Sequence, residues 1–126
     1  MKRELETAGA PSAIGPYSQA VAEAGWLYCS GQIAIDPKGG SIVEGGVEAE
    51  TRQVLENLGA VLGAAGLDFG DVVKTTIFLT DLRDFEAVNR VYGERFTRPY
   101  PARSTVQVVA LPRGARVEIE AIARMR

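Results

Sequence analysis

Residues 72–80 read Val-Val-Lys-Thr-Thr-Ile-Phe-Leu-Thr, a run dominated by β-branched and aromatic side chains and bounded by Gly70 and Asp81. β-Branched and aromatic residues favour strands, and Gly and Asp commonly end them. The run therefore predicts a central β-strand, and the elements on either side of it complete the architecture.

Two helices are predicted, one on each side of this strand. Before it, apolar residues recur at spacings of three and four from Val54 to Ala65, and Gly66 follows where a helix typically ends. After it, Asp84 is a candidate N-cap, and Pro99 prevents continuation of a second helix. The apolar stripe of that second helix consists of Phe85, Val88, Tyr92 and Phe96.

Four further strands are predicted, at residues 26–30, 32–35, 103–110 and 116–123. The loop 111–115 reads Leu-Pro-Arg-Gly-Ala, a length that suits a β-hairpin between the last two strands. The resulting order is β-β-α-β-α-β-β, with a possible N-terminal strand in addition. It indicates one α+β domain over residues 1–126, a mixed sheet with both helices packed on one face.

The other face of this sheet is predicted to be an interface. Alternation along the last two strands places apolar residues on one face and a mixed set on the other. A mixed face is too apolar for ordinary solvent surface and too polar for a core, so we expect it to pack against other copies in a closed oligomer. The mixed set comprises Thr105, Gln107, Val109 and Ile122.

Composition excludes several kinds of site. The chain has 14 Lys and Arg against 16 Asp and Glu residues, no histidine and a single cysteine, Cys29. The net charge of −2 disfavours nucleic acid and anionic membranes as partners. A zinc site with four Cys/His ligands cannot be built, so we expect no metal. Because histidine, the commonest general base, is absent, catalysis must use carboxylate, hydroxyl, lysine or arginine groups. No run resembles a leader or a membrane span, so we expect a cytoplasmic protein.

Four short strings are more specific than the fold requires, at residues 14–20, 30–32, 84–89 and 101–104. Ser30-Gly31 is typical of a β-bulge or of a place where a ligand approaches bare backbone. Arg103 is either a solvated charge or a fork that grips a carboxylate. Glu118 either faces water or lies in a desolvated cleft between subunits, where its pKa would rise and it could move protons.

Together and in this order, the strings resemble the reactive-intermediate deaminase family, also called the RidA or YjgF type. The resemblance runs from Ile-Gly-Pro-Tyr-Ser-Gln at 14–19, through Ser-Gly-Gln-Ile at 30–33 and Pro-Ala-Arg-Ser at 101–104, to Val-Glu-Ile-Glu-Ala-Ile-Ala at 117–123. It covers essentially the whole chain. It implies a chorismate-mutase-like α+β fold and a homotrimer whose sheets form an inner barrel, with three clefts between subunits.

The resemblance also implies an activity, the hydrolysis of 2-imino acids and their enamine tautomers to 2-keto acids and ammonia. Its substrates would be 2-iminopropanoate and 2-iminobutanoate, released by pyridoxal-phosphate-dependent dehydratases, and no cofactor is implied. The implied catalytic residues are Arg103 and Glu118, and the implied substrate-binding residues are Tyr17, Ser30, Gly31, Asn89, Arg103 and Thr105. Thr105 stands where the family archetype has a cysteine.

A hairpin between the last two strands would set Glu118 opposite Val109, about 20 Å along the sheet from Arg103. We therefore expect each pocket to take its arginine and its glutamate from different subunits. Two alternatives remain open. The clefts could bind a keto or imino acid, or another protein, without turnover. Ribonuclease or translation-inhibitor activity is disfavoured by the acidic charge, the absence of a histidine base and the lack of a basic stripe.

Overall fold

A computed structural model describes all of residues 1–126 as one six-stranded sheet and two α-helices. The strands are β1 (Arg3–Leu5), β2 (Ala20–Glu23), β3 (Trp26–Gln32), β4 (Val72–Leu79), β5 (Ala102–Gln107) and β6 (Val117–Arg124). The helices are α1 (Gly46–Ala64) and α2 (Phe85–Tyr92). The strand order is β1-β2-β3-β6-β4-β5, antiparallel except for the parallel pair β4–β5. The predicted α+β architecture with a mixed sheet is confirmed.

The predicted hairpin between the last two strands is wrong, because β4 lies between β5 and β6. Thr75 of β4 is opposite Arg103 of β5, and Phe78 of β4 is opposite Glu118 of β6. The chain leaves β4, forms α2 and returns as β5 parallel to β4, which is the crossover that parallel neighbours require. β6 then pairs with the other edge of β4. The segment 108–116 has a hairpin's length, but it crosses the end of β4 instead.

The N-terminal half contains two further short strands, β1 and β2, where the sequence indicated at most one possible N-terminal strand. β2 reads Ala-Val-Ala-Glu, a sequence of low strand propensity, and it pairs with β3 through a turn at Ala24 and Gly25. Both turn residues have positive φ, 52° and 88°, as a type I′ hairpin turn requires. The run predicted as a strand at 26–30 is part of β3, which has an irregularity between Cys29 and Gln32. The strand predicted at 32–35 is wrong, because β3 ends at Gln32 and Ile35 forms only an isolated bridge with Ile42.

The core lies between the sheet and the helical layer. α1 packs against β3, β6 and α2, and its apolar stripe is fully buried. That stripe comprises Val54, Leu55, Leu58, Val61 and Leu62. Gly66 follows α1 with a φ of 74°, as its predicted role at the helix end requires. Neither helix has the combination of length and apolarity found in membrane-crossing helices.

The predicted face assignment is correct for β6 and reversed for β5. Glu118 and Ile122 lie on the face away from the helices, as predicted, because the alternate β6 residues are buried in the core. Arg103 and Thr105 instead lie on the helix side, since they pair with the buried residues Thr75 and Ile77. Because β5 pairs with β4 in parallel and not with β6 in a hairpin, each of its side chains points to the face of the sheet opposite the predicted one.

The uncovered face of the sheet remains mixed in character. Its apolar members include Tyr28, Phe78, Val106 and Ile122, and its polar members include Lys74, Thr76, Glu118 and Glu120. Tyr28 and Val106 are 47% and 43% exposed. Val109 lies beyond β5 and is fully exposed. No element of the chain covers this face.

Candidate active site

The predicted site residues fall into two groups on opposite sides of the sheet. Tyr17, Ser30, Gly31 and Glu118 line one cavity of about 480 Å³. Asn89 and Arg103 line a more open groove of about 430 Å³. Thr105 lines neither of these two spaces. One chain therefore assembles two partial sites.

The first cavity is built around a close contact between β3 and β6. At Gly31 a β-carbon would lie 2.8 Å from both Cδ and Oε2 of Glu118, closer than real β-carbons approach a neighbour. The absence of a side chain at position 31 lets the β3 backbone lie directly against the Glu118 carboxyl group. Of the two sequence interpretations of Ser30-Gly31, the irregularity between Cys29 and Gln32 supports the β-bulge, and the approach of a ligand stays a prediction.

Partial burial changes the acid strength of Glu118. Desolvation raises the pKa of this carboxyl group, and the negative charge of Glu120, two residues along the same face of β6, raises it further. A carboxyl group with a raised pKa holds its proton more readily than a solvated one, and its carboxylate form is a stronger base. This environment suits a residue that both accepts and donates a proton.

The loop that carries Tyr17 is fixed by two polar residues. The buried Gln19 accepts a hydrogen bond from the Thr7 amide at 2.7 Å and donates to the carbonyls of Thr7, Ala10 and Pro11. The Ser30 hydroxyl donates to the Ser18 carbonyl at 2.6 Å, so it ties this loop to β3. Tyr17 itself is 52% exposed at the cavity.

The second group is organised by stacking. The Arg103 guanidinium lies 4.9 Å from the ring centroid of Tyr92 and 5.7 Å from that of Phe85, both on α2. No carboxylate forms an ion pair with Arg103 within the chain. The guanidinium is thus oriented by aromatic faces, and its hydrogen-bond donors remain available to an external carboxylate. Asn89, also on α2, lines the same groove.

A buried hydrogen bond supports this stack from behind. The Tyr92 and Thr75 hydroxyls lie 2.8 Å apart, and both residues are buried. Burial raises the pKa of the Tyr92 phenol, against the opposing effects of the Thr75 hydrogen bond and the Arg103 charge. The phenol is therefore a neutral structural group that fixes the ring beneath Arg103.

Thr105 differs from its predicted position on the uncovered face. It lies on the helix side of β5, and its hydroxyl oxygen is buried without a hydrogen-bond partner. β5 is the last strand of the sheet, so one edge of its backbone is unpaired within the chain. The backbone of residue 105, rather than its hydroxyl, is the group that a neighbouring molecule could reach.

Arg103 and Glu118 do not meet within one chain. They lie on opposite faces of the sheet, on the two strands that flank β4, and their partners on β4 are three residues apart. These offsets correspond to a separation of roughly 14 Å between their α-carbons. The predicted hairpin also implied that Arg103 and Glu118 are far apart within one chain, but the pairing on which it was based is wrong, since Glu118 pairs with Phe78 and not with Val109.

Sequence patterns missed one polar contact that holds the start of β6, the strand that carries Glu118. Glu50 on α1 is fully buried and accepts hydrogen bonds from the Arg116 amide at 2.9 Å and from its guanidinium at 2.7 Å. This contact fixes the start of β6, two residues before Glu118. Glu50 lies four residues before Val54, on the helix face that the apolar stripe occupies, so its spacing, and not its residue type, is the signal of its burial.

No group of three or more His, Cys, Asp or Glu side chains is arranged to hold a metal ion. The two partial sites instead offer two guanidinium groups, one in each, together with one carboxyl group with a raised pKa and glycine backbone beside it. Together these groups can bind a small carboxylic acid and move a proton. They suit chemistry on a substrate that is already electrophilic.

Known proteins similar to this chain are named for imine deamination, and the family model that matches it is named for a ribonuclease. The family model described as Endoribonuclease L-PSP matches residues 7–125. A human 2-iminobutanoate/2-iminopropanoate deaminase is 53% identical over 123 residues, which cover 98% of this chain and 90% of the human protein. A Yersinia pestis structure of the Rid family superposes with a TM-score of 0.97 at 53% identity, covering 99% of this chain and all of that one.

A ligand-bound structure is also among the similar folds. Escherichia coli TdcF with bound serine superposes with a TM-score of 0.92 at 44% identity, covering 98% of this chain and 99% of TdcF. These matches extend over nearly the whole chain, including the sheet and both helices. The chain belongs to the RidA/YjgF family of reactive-intermediate deaminases, whose family model bears the description Endoribonuclease L-PSP.

Proposed function

We propose that this protein hydrolyses small 2-imino acids, 2-iminopropanoate and 2-iminobutanoate, to 2-keto acids and ammonia. The observation that carries the proposal is its 53% identity, over nearly the full chain, to a deaminase named for these substrates. The chemistry of the two partial sites agrees with it. An arginine with free donors suits the substrate carboxylate, and a half-buried glutamate suits the proton transfers.

The site residues take the following roles in this proposal. Arg103 grips the substrate carboxylate, and Asn89 lines the same groove. Tyr17 forms one wall of the cavity, and the backbone at Ser30 and Gly31 limits the space beside the reacting carbon. The backbone of Thr105 contributes at the unpaired sheet edge. Holding the substrate in this way turns addition of water into an oriented, effectively intramolecular step.

The reaction needs one water molecule and a relay of protons. Glu118, as a carboxylate, takes a proton from the water whose oxygen bonds to C2 of the protonated imine, which gives a tetrahedral carbinolamine. The Glu118 carboxyl group then returns the proton to the amine nitrogen. As the carbon–nitrogen bond breaks and ammonia leaves, the hydroxyl group of the carbinolamine gives its proton to the Glu118 carboxylate and becomes the keto group. The raised pKa of Glu118 makes its carboxylate a stronger base and so favours the first of these transfers.

We infer that the complete site forms between copies of the chain, in a homotrimer whose uncovered sheet faces build an inner barrel. Two observations support this inference. The apolar residues Tyr28 and Val106 are exposed on a face that no element of the chain covers. The guanidinium of Arg103 and the carboxyl group of Glu118 also lie too far apart, and on opposite faces, to contact one substrate within a chain. A neighbouring copy would bring them together.

The most direct test of turnover is a coupled assay. A serine or threonine dehydratase generates the imine in situ, and keto-acid formation is timed with and without the protein. The wild type should accelerate keto-acid release, and Arg103→Ala should remove about 100-fold or more of kcat/KM while the oligomer stays intact. A wild type that binds the keto acid but gives no acceleration would instead indicate a binding protein.

The family description Endoribonuclease L-PSP names ribonuclease activity as a second candidate function, and the residues of this chain do not support it. The chain has no histidine, its net charge is −2, and the only cation lining the Glu118 cavity is Arg113. Nucleic-acid binding generally needs several cationic side chains along one surface. Deamination is therefore the function that the site favours.

A further inference from the structure

Arg113 is a charged residue of the Glu118 cavity that the proposed reaction leaves without a role. It lies in the segment that crosses from β5 to β6, between Pro112 and Gly114, and it lines the same cavity as Tyr17 and Glu118. Among the residues around this cavity it is the only cation, and Glu118 is the only anion.

The backbone at Arg113 adopts an unfavourable conformation. Its φ of 60° and ψ of 24° lie in the left-handed region, where residues other than Gly, Asn and Asp are uncommon. Such conformations are costly, and they occur most often where a side chain must be held in a particular place. Apart from the glycines, Ala24 is the only other residue with a positive φ, and it lies in a hairpin turn.

Two contacts hold this conformation in place. The Arg113 guanidinium donates one hydrogen bond, at 2.9 Å, to the carbonyl of Gly40, in a turn 73 residues away. Three residues beyond Arg113, the buried carboxylate of Glu50 fixes both the amide and the guanidinium of Arg116. The segment is therefore anchored at both ends, and the guanidinium retains donors that no protein group occupies.

The cavity is larger than a four-carbon imino acid requires. At about 480 Å³ it is of the size that encloses small-molecule ligands with room beyond a methyl or ethyl side chain. A substrate whose carboxylate is gripped by Arg103 of another copy would meet Arg113 only through a group on its side chain. An anionic side-chain group matches the unoccupied guanidinium donors.

We propose that Arg113 is a specificity-determining residue that binds a second carboxylate, so that the site also accepts 2-imino acids with an acidic side chain. This inference rests on the proposed deaminase function and extends its substrate class to dicarboxylic imines. The hydrolysis itself is unchanged: one water is consumed, the carbon–nitrogen bond breaks, and a 2-oxo dicarboxylate and ammonia are formed.

The test compares two imines on matched variants. The imine of glutamate is generated in situ by an amino-acid oxidase and that of 2-aminobutanoate by the same method, and the ratio of their kcat/KM values is measured. Arg113→Asn should lower this ratio about three- to tenfold, because Asn tolerates the left-handed backbone but lacks the charge. Arg113→Lys should recover part of it. Arg52→Gln, which removes an exposed positive charge on α1 remote from this cavity, should leave the ratio unchanged.

The outcomes separate the two claims. An unchanged ratio in Arg113→Asn, or a wild type that hydrolyses only the neutral imine, would overturn the role of Arg113 while leaving the deaminase intact. If the wild type hydrolyses neither imine, the proposed function fails, and calorimetry with the keto acids decides the role of Arg113. Tighter binding of 2-oxoglutarate than of 2-oxobutanoate, with that preference lost in Arg113→Asn, would support it. Equal binding would refute it.

Discussion

Gly31 lies so close to Glu118 that a β-carbon at position 31 would be only 2.8 Å from the carboxyl carbon and from Oε2. The contact joins two strands, β3 and β6, that are neighbours in the sheet. It leaves the carboxyl group no room to retreat toward β3. The position of the proposed proton-transfer group is therefore set by the absence of a side chain on the neighbouring strand.

Gly31→Ala should displace the Glu118 carboxyl group and lower kcat/KM in the coupled imine assay by about 10- to 100-fold. Gly63→Ala is the matched control, because a β-carbon at Gly63 in α1 meets nothing within 4 Å. That control should keep full activity and raise the free energy of unfolding by about 0.5–1 kcal/mol. Equal activities of the two alanine variants would contradict the role assigned to this contact.

Glu118→Gln should remove activity and yet stabilise the folded chain near neutral pH. Burial and the charge of Glu120 raise the pKa of Glu118 in the fold above its value in the unfolded chain. The free energy of unfolding of the wild type therefore falls as the pH rises through the folded-state pKa, whereas glutamine does not titrate. The gain should disappear below the ordinary pKa of glutamate. Urea denaturation across this pH range measures it, and a variant less stable than the wild type at neutral pH would contradict it.

Tyr92 should show separate effects of its hydroxyl and its ring. Tyr92→Phe keeps the ring beneath Arg103 but leaves the buried Thr75 hydroxyl unpaired, so it should cost about 1–3 kcal/mol of stability with little change in KM. Tyr92→Leu removes the aromatic face and should raise KM about three- to tenfold, with a smaller change in kcat. Indistinguishable KM values for the two variants would show that stacking does not orient Arg103.

Local patterns were sufficient for the elements whose periodicity is strong. The run at 72–80 became β4, the stripe from Val54 became α1, and Gly66 ended it as expected. Strand pairing was less accessible, because the loop length between β5 and β6 suits both a hairpin and a crossing over the end of β4. That single ambiguity reversed the face of Thr105. β2 was missed because its pairing with β3, rather than its own propensity, forms the strand.

The sequence motifs identified the candidate site residues, but they did not predict how the fold arranges them. The motifs singled out Tyr17, Gly31 and Glu118, which line one cavity, and Asn89 and Arg103, which line one groove. The roles of two buried polar residues were not predicted, although Gln19 lies within a motif that was singled out and Glu50 lies at helical spacing from the apolar stripe. Gln19 and Glu50 resemble surface positions in composition, and only tertiary packing makes them the buried polar groups that hold the loop of Tyr17 and the start of β6.

The division of the site between subunits is tested most directly by mixing two inactive variants. Arg103→Ala and Glu118→Gln are unfolded together, refolded at equal concentrations and assayed for imine hydrolysis. If each site takes its arginine and its glutamate from different copies, random assembly should restore about one quarter of wild-type activity, since one site in four then has both residues intact. Activity no greater than that of the separate variants, in oligomers shown to be mixed, would place both groups in one chain and contradict the account.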